Sequence, residues 1–358
     1  MPLEFSKTVF MTGFPGFIAG RLVERLAAGD VQFFLLVQPP FVEQAKAAVS
    51  QIAERSSSPL ENFALVQGDI TLPNLGIDRD DLSVIRDETT DVFHLAAAYD
   101  LEVTRDVAEK VNLEGTKNVN HFARSLEGLR RYNYISTCYV AGKRPGRVYE
   151  NELEHDAGFR NHYEETKYLA ETEVEQLKEE LPVTIYRPSV VVGDSETGET
   201  PKFDGIYFLI HYLRKAPGLL RFINVGNNEV RLNLVPVDYV ISAISALSAD
   251  EDAVGKTIAL ADPAPLTTAE LFDEIARSMS GGGSFVRPPA TLVERSLMLP
   301  MSPGLTGLPH SAVPYFFLSQ TYDTTVASQL LAPHKISCPD FRSYVSNLID
   351  FVKKHPSL

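Results

Sequence analysis

Tyr163 and Lys167 stand four residues apart, a spacing that invites proton chemistry. On a helix, side chains at i and i+4 lie on one face, a turn apart. A free phenol, with a pKa of about 10, is an indifferent base at neutral pH. A nearby ammonium favours the phenolate and brings the tyrosine toward a range useful for exchanging a proton with a carbonyl oxygen or an alcohol. A hydroxyl from a second element can hold that oxygen, and Thr137 ends an apolar run, Tyr132 to Thr137, where it is able to do so. Taken alone, a YxxxK spacing is most simply a surface helix pair. Its place after a strand ending in Ser136-Thr137 favours the chemical reading.

Such a pair needs elements to position it, and the stretch Thr8 to Gln38 shows which. A short apolar run, Val9 to Met11, breaks into Thr12-Gly13-Phe14-Pro15-Gly16-Phe17-Ile18-Ala19-Gly20 and continues as an amphipathic helix with Leu22, Val23 and Leu26 on one face. A second apolar run follows at Phe33 to Val37. This is strand, glycine turn, helix, strand, the first βαβ unit of a doubly wound parallel α/β sheet of the Rossmann type. Gly13 lets the chain leave the strand, Gly16 lets backbone approach a pyrophosphate, and Ala19 is small enough for helix to pack on strand. A GxxGxxA spacing is weak by itself, since a tight turn also produces it; between strand and helix it points to a nucleotide.

The chain has 358 residues, enough for one elaborated domain or two intimate ones. Its 33 basic and 47 acidic residues give a net charge of -14, a poor match to nucleic acid or anionic membrane. The two cysteines, Cys138 and Cys338, fit no zinc or redox spacing, so no metal site is expected and a reducing cytoplasm is the natural setting. The N-terminal residues lack the character of a signal peptide, and no window is apolar for long enough to span a bilayer. Two apolar stretches, Ile206 to Val225 and Ala290 to Leu318, are interrupted by prolines and charges and suit a lid or an apolar pocket.

Further along, the pattern predicts a helix over Val42 to Glu54 and strands at Phe63 to Val66 and Val92 to Leu95. These strands deliver Gly68-Asp69-Ile70 and His94-Leu95-Ala96-Ala97-Ala98 to the carboxyl edge of the sheet, where a dinucleotide lies. Asp69 is suited to accept from an adenine amino group, or simply to cap a turn. One helix is predicted from Thr104 to about Leu126, burying Val107, Val111, Val119 and Phe122 and containing Asn112 and Gly115. Another runs from about Asn161 to Glu179, its glutamates at 164, 165, 171, 173, 175, 179 and 180 reading as a solvated face. Strands are predicted at Val183 to Tyr186, Val230 to Val235 and Thr257 to Leu260, with helices at Val237 to Leu247 and Thr267 to Met279. Residues 1–193 with 226–262 would form the nucleotide-binding domain. Residues 194–225 with 263–358 would form a smaller, mostly helical substrate-binding cap.

The segments TGFPGFIAG, GDI at 68, HLAAAYD at 94, VNLEGTKNV at 111, ISTCYVAG at 135, YEETK at 163, YRPSVVVGDSETGE at 186 and NLVPVDYV at 233 together resemble the extended short-chain dehydrogenase/reductases. STCYVAG and RPSVVVGDSETG resemble the thioester reductase and fatty acyl reductase branch of male-sterility type. That resemblance implies hydride transfer between a nicotinamide and a carbonyl carbon. Tyr163 would be the acid, Lys167 would hold the nicotinamide ribose while lowering the tyrosine pKa, and Thr137 would bind the reacting oxygen. Cofactor contacts would come from Thr12, Gly13, Phe14, Pro15, Gly16, Phe17, Ile18, Gln38, Asp69, Ile70, Ala96, Ala97, Ala98, Asn112, Lys167, Pro188, Ser189 and Val190. An acyl thioester would yield a hemithioacetal that collapses to aldehyde and thiol. Cys138 is read as a small residue packed behind the site.

The second strand is followed by Val37-Gln38-Pro39, with neither the acid of NAD-preferring relatives nor the arginine of many NADP users, which favours NADP over NAD. The substrate would be an apolar acyl group or aldehyde, carried by coenzyme A or a carrier protein, and by analogy with the superfamily the protein would form a homodimer. Two other readings compete: a sterol or sugar-nucleotide dehydrogenase or epimerase, with Arg231 as a phosphate-binding residue, and a binding protein that senses the nucleotide without turnover.

Overall fold

The computed structural model describes residues 5–215, 223–284, 286–306 and 308–356. Part of the apolar stretch Ile206 to Val225, residues 216–222, lies outside them. Seven parallel strands form the central sheet: β1 (Lys7–Thr12), β2 (Val31–Val37), β3 (Phe63–Gln67), β4 (Asp91–His94), β5 (Arg131–Ile135), then β7 (Val183–Pro188) and β10 (Thr257–Leu260). Their spatial order is β3-β2-β1-β4-β5-β7-β10, so the direction of winding reverses between β1 and β4, the crevice where a doubly wound sheet takes its ligand. Strands buried on both faces read as apolar runs, and β2 and β7 are buried along most or all of their length.

Between β5 and β7 lies β6 (Gly146–Val148), which pairs with β11 (Gln320–Tyr322); β8 (Val190–Val192) pairs with β9 (Leu234–Pro236). Both small sheets are parallel and both tie the far part of the chain to the edge of the large one. The helix Phe341–Lys354 packs on Thr268–Ser280, and the helix Thr325–Leu331 packs on Val237–Leu247 and β10.

Several expectations are corrected. Arg79–Glu88 is a helix that the sequence reading did not include. The predicted strand Val230 to Val235 shortens to β9, outside the main sheet, and Arg231 is exposed, donating to the Pro265 carbonyl at 2.5 Å. The helix predicted from Thr104 is three pieces: Arg105–Ala108, a π-helical turn Glu109–Glu114, and Gly115–Arg124. The wider turn rephases the faces on either side of it, so Val107 is 48% exposed while Val119 and Phe122 are buried. On the helix His162–Glu175, Glu164 and Glu171 are fully buried, not solvated. Each neutralises an arginine: Glu164 pairs with Arg160 at 2.6 Å and Glu171 with Arg187 at 2.6 Å.

Candidate active site

Gly13 leaves β1 with φ of +91°, a conformation closed to side-chain-bearing residues, and a Cβ there would stand 2.8 Å from the Ala96 nitrogen. Gly16 caps the helix Phe17–Leu26, which has neither a side-chain cap nor an acid in its first turn. A Cβ on Gly16 would meet the Gly13 carbonyl at 2.7 Å. The first-turn N–H groups therefore face a shallow backbone cradle that fits a pyrophosphate. Ala19 is buried under the helix and Phe14 belongs to the core, while Pro15, Phe17 and Ile18 are half-buried at the rim.

Behind the cradle runs a buried polar chain. Thr12 Oγ1 accepts from the Leu95 and Ala96 N–H groups at 3.2 and 3.1 Å and lies 2.7 Å from His94 Nδ1. Thr116 Oγ1 donates to the Asn112 carbonyl at 2.6 Å and lies 3.0 Å from His94 Nε2. This network assigns the neutral His94 tautomer with its proton on Nε2. Burial, helped by the charge on Lys167, holds the His94 pKa down to about 3. Tyr134, hydrogen-bonded to Thr116, continues the chain to Lys167, whose Nζ donates to Tyr134 Oη at 3.0 Å and to the Ile135 carbonyl at 2.9 Å.

Lys167 is buried, and desolvation lowers its pKa to about 8 against the opposing pull of Glu171. Tyr163 is half-buried, within hydrogen-bonding reach of Thr137. Its pKa is pushed up to about 12 by desolvation, against the Thr137 hydrogen bond. The expectation that Lys167 depresses the tyrosine pKa is corrected here: desolvation outweighs the lowering hydrogen bond from Thr137, and Lys167 is not among the groups that shift it. Tyr163 thus remains a protonated phenol at neutral pH. Thr137 also accepts from the Tyr139 N–H at 3.2 Å, which fixes its side chain at the end of β5.

The remaining candidates line the edge of the same crevice. Asp69 accepts from Gln38 Nε2 at 3.0 Å and from the Thr71 N–H at 2.8 Å, joining the ends of β2 and β3. Ile70 is buried and its carbonyl accepts from Asn118. Asn112, in the π-helical turn, accepts from the Ala98 N–H at 2.7 Å and donates to the Ala98 carbonyl and Thr166 Oγ1. The half-buried run Ala96, Ala97, Ala98 is thereby tied to the helix that carries Tyr163. Pro188 is buried at the end of β7; Ser189 donates to Asn233 Oδ1 at 2.7 Å and Val190 begins β8. Cys138 donates to the Arg187 carbonyl at 3.1 Å and packs with Ala259 and Ala261, and burial raises its thiol pKa far above the ordinary value. A thiol so held is no nucleophile.

Sequence reasoning missed His94, Glu171 and Arg187 as parts of this architecture. Two signals were present: Arg187 interrupts an otherwise apolar buried strand, and Glu171 lies one turn beyond Lys167 on the same helix face. A charge in such a strand requires a buried partner. Among the described residues no group of His, Cys, Asp and Glu could hold a metal ion.

A doubly wound parallel sheet with a glycine cradle at its first turn is the architecture of the extended short-chain dehydrogenase/reductases. Residues 11–244 match the male sterility protein family of NAD-binding domains, and the chain belongs to that family, in its fatty acyl reductase-like branch. It is 26% identical over 284 residues to "Fatty acyl-CoA reductase wat" of Drosophila melanogaster, covering 68% of this chain and 54% of that protein. The human "Fatty acyl-CoA reductase 1" is 26% identical over 276 residues, covering 66% of this chain and 53% of that protein. The chain spans about half the length of these curated relatives. Its fold is similar to that of the terminal R domain of the myxalamid PKS-NRPS pathway, with TM-score 0.81, 24% identity and coverage of 98% of this chain and 92% of that one.

Proposed function

We propose that the protein is an NADPH-dependent reductase of acyl thioesters or aldehydes bearing an apolar chain. The observation that carries this reading is Tyr163 within hydrogen-bonding reach of Thr137, just past the carboxyl end of β5. Bound reduced nicotinamide supplies the hydride. Thr137 and Tyr163 hold the carbonyl oxygen, and their hydrogen bonds strengthen as charge develops on it. Tyr163 gives its proton to that oxygen. A thioester passes to a hemithioacetal, which collapses to aldehyde and thiol. Lys167 holds ribose hydroxyls of the cofactor, and Gly13, Gly16 and the first helical turn hold its pyrophosphate. The neutral Gln38 at the end of β2 leaves room for a 2′-phosphate, which is the basis for preferring NADPH.

An apolar cavity of about 340 Å³ supports the substrate class. It is lined by Phe208, Tyr212, Val225, Phe272, Val293 and Phe317, among others, so both apolar stretches noted in the sequence contribute to it. The relatives named as fatty acyl-CoA reductases agree with an acyl substrate presented on coenzyme A. The test is NADPH oxidation by the purified chain against long-chain acyl-CoAs, carrier-protein thioesters, fatty aldehydes and UDP-sugars. Turnover with the acyl compounds and a higher kcat/KM for NADPH than for NADH are expected. Turnover of UDP-sugars alone, or cofactor binding with no turnover of any compound, would overturn the reading.

A further inference from the structure

The turn Val313–Phe316 carries one tyrosine that reaches out of the cap and into the catalytic elements. Tyr315 is buried, and its ring packs against Tyr139 with centroids 4.6 Å apart. Its hydroxyl donates to Glu164 Oε1 at 2.5 Å and accepts from Asn161 Nδ2 at 2.9 Å. Arg160 sits over the same ring at 5.1 Å and binds Glu164 through both its guanidinium and its backbone N–H. Tyr139 follows Thr137 by two residues, Glu164 is the neighbour of Tyr163, and Asn161 caps the helix that carries Tyr163 and Lys167. On its other side, Tyr315 is followed directly by Phe316 and Phe317, both of which line the apolar cavity.

We propose that Tyr315 is a positioning residue through which an apolar chain seated in the cap cavity sets the spacing of Thr137 and Tyr163. This rests on the reductase reading of the site. The physical argument is one of leverage. A chain that fills the cavity presses on Phe316 and Phe317, and the backbone passes that restraint to the adjoining Tyr315. Its ring and hydroxyl each grip one of the two elements that must converge on the reacting oxygen. A short substrate reaches the same catalytic groups but leaves the cavity, and so the restraint, unused. Occupancy of the cap is thereby converted into turnover as well as affinity.

The experiment has a readout that does not depend on turnover. Hydrogen exchange of the full chain with NADPH is followed with and without 1-dodecanol as the cavity probe, in wild type and Y315F. Dodecanol should slow exchange in peptides covering 137–142 and 160–167 of the wild type, and Y315F should lose that slowing while still binding NADPH. Steady-state kinetics then compare long and short acyl-CoAs: Y315F should lower kcat for the long chain by about tenfold, toward the short-chain value, with KM for NADPH unchanged. Slowing that persists in Y315F, or is absent from the wild type, overturns the proposal, as does an equal loss of kcat at both chain lengths. Should Y315F fail to fold, E164Q preserves the side-chain shape and carries the same test. If no acyl thioester oxidises NADPH, the reductase reading falls, and the exchange experiment still decides whether the cap grips the helix through Tyr315.

Discussion

The carboxyl end of the large sheet and the apolar cavity are built on opposite principles. On the nucleotide side, position is fixed by directional hydrogen bonds: Thr12 to His94, His94 to Thr116, Lys167 to Tyr134, Asn112 to the Ala98 carbonyl. On the cap side, the cavity is bounded by aromatic and aliphatic side chains drawn from segments far apart in sequence. Directional bonds fix atoms to within a few tenths of an ångström, whereas apolar walls select by volume. The first suits a cofactor of one shape and the second a family of substrates. Substitutions on the two sides should therefore fail differently.

The largest effect is expected at the phenol. Tyr163→Phe should reduce kcat by about 10²- to 10⁴-fold while leaving NADPH affinity within a factor of about two, measured by turnover and by fluorescence titration. Retained turnover would remove the acid from the mechanism. Next is Gly13→Val, which places a branched side chain at φ of +91° against the Ala96 nitrogen. It should cost several kcal/mol of stability, roughly 2–4, together with most of the cofactor affinity, as read by thermal unfolding with and without NADPH.

The third prediction concerns acid. His94 is held neutral in the folded state with a pKa of about 3, below its unfolded value of 6.5. Between those values the unfolded chain binds a proton that the folded one refuses, so stability falls as pH drops from about 6.5 toward 3, by about 1.4 kcal/mol per pH unit from this group. His94→Gln should flatten that slope in denaturant titrations. A cap variant sharpens the contrast: Val293→Trp should lower kcat/KM for long acyl chains by about tenfold and leave NADPH affinity untouched. If it weakens NADPH instead, the division between the two sides is wrong. Smallest of all, Cys138→Ala should change kcat by less than about threefold, since a buried thiol bonded to a carbonyl takes no part in the chemistry.

How much of this could be read from residue order follows the same division. The glycine turn and the apolar strands are local patterns that the sequence reading located; it also placed Tyr163 and Lys167 on one helix and Thr137 just past a strand, as the structure has them. The acidic face of the Tyr163 helix was misread because burial of Glu164 and Glu171 depends on Arg160, Tyr315 and Arg187, and the latter two come from other elements. Val107 was misplaced because one wide turn shifts the phase of a helix whose composition gives no sign of it. Composition marked two apolar stretches as a lid or a pocket, but the walls of the cavity come from residues such as Phe208, Phe272 and Phe317, which no short-range pattern brings together.

The carboxamide of Asn112 bridges the alanine run that follows β4 and Thr166 on the helix that carries Tyr163. A single side chain thus sets one spacing between those two elements, through anchors that both lie within the first 170 residues. Transplanting a foreign far segment onto this scaffold would keep that brace but lose the grip of Tyr315 on Glu164 and Asn161, so a new substrate range would need that second contact rebuilt along with the new walls.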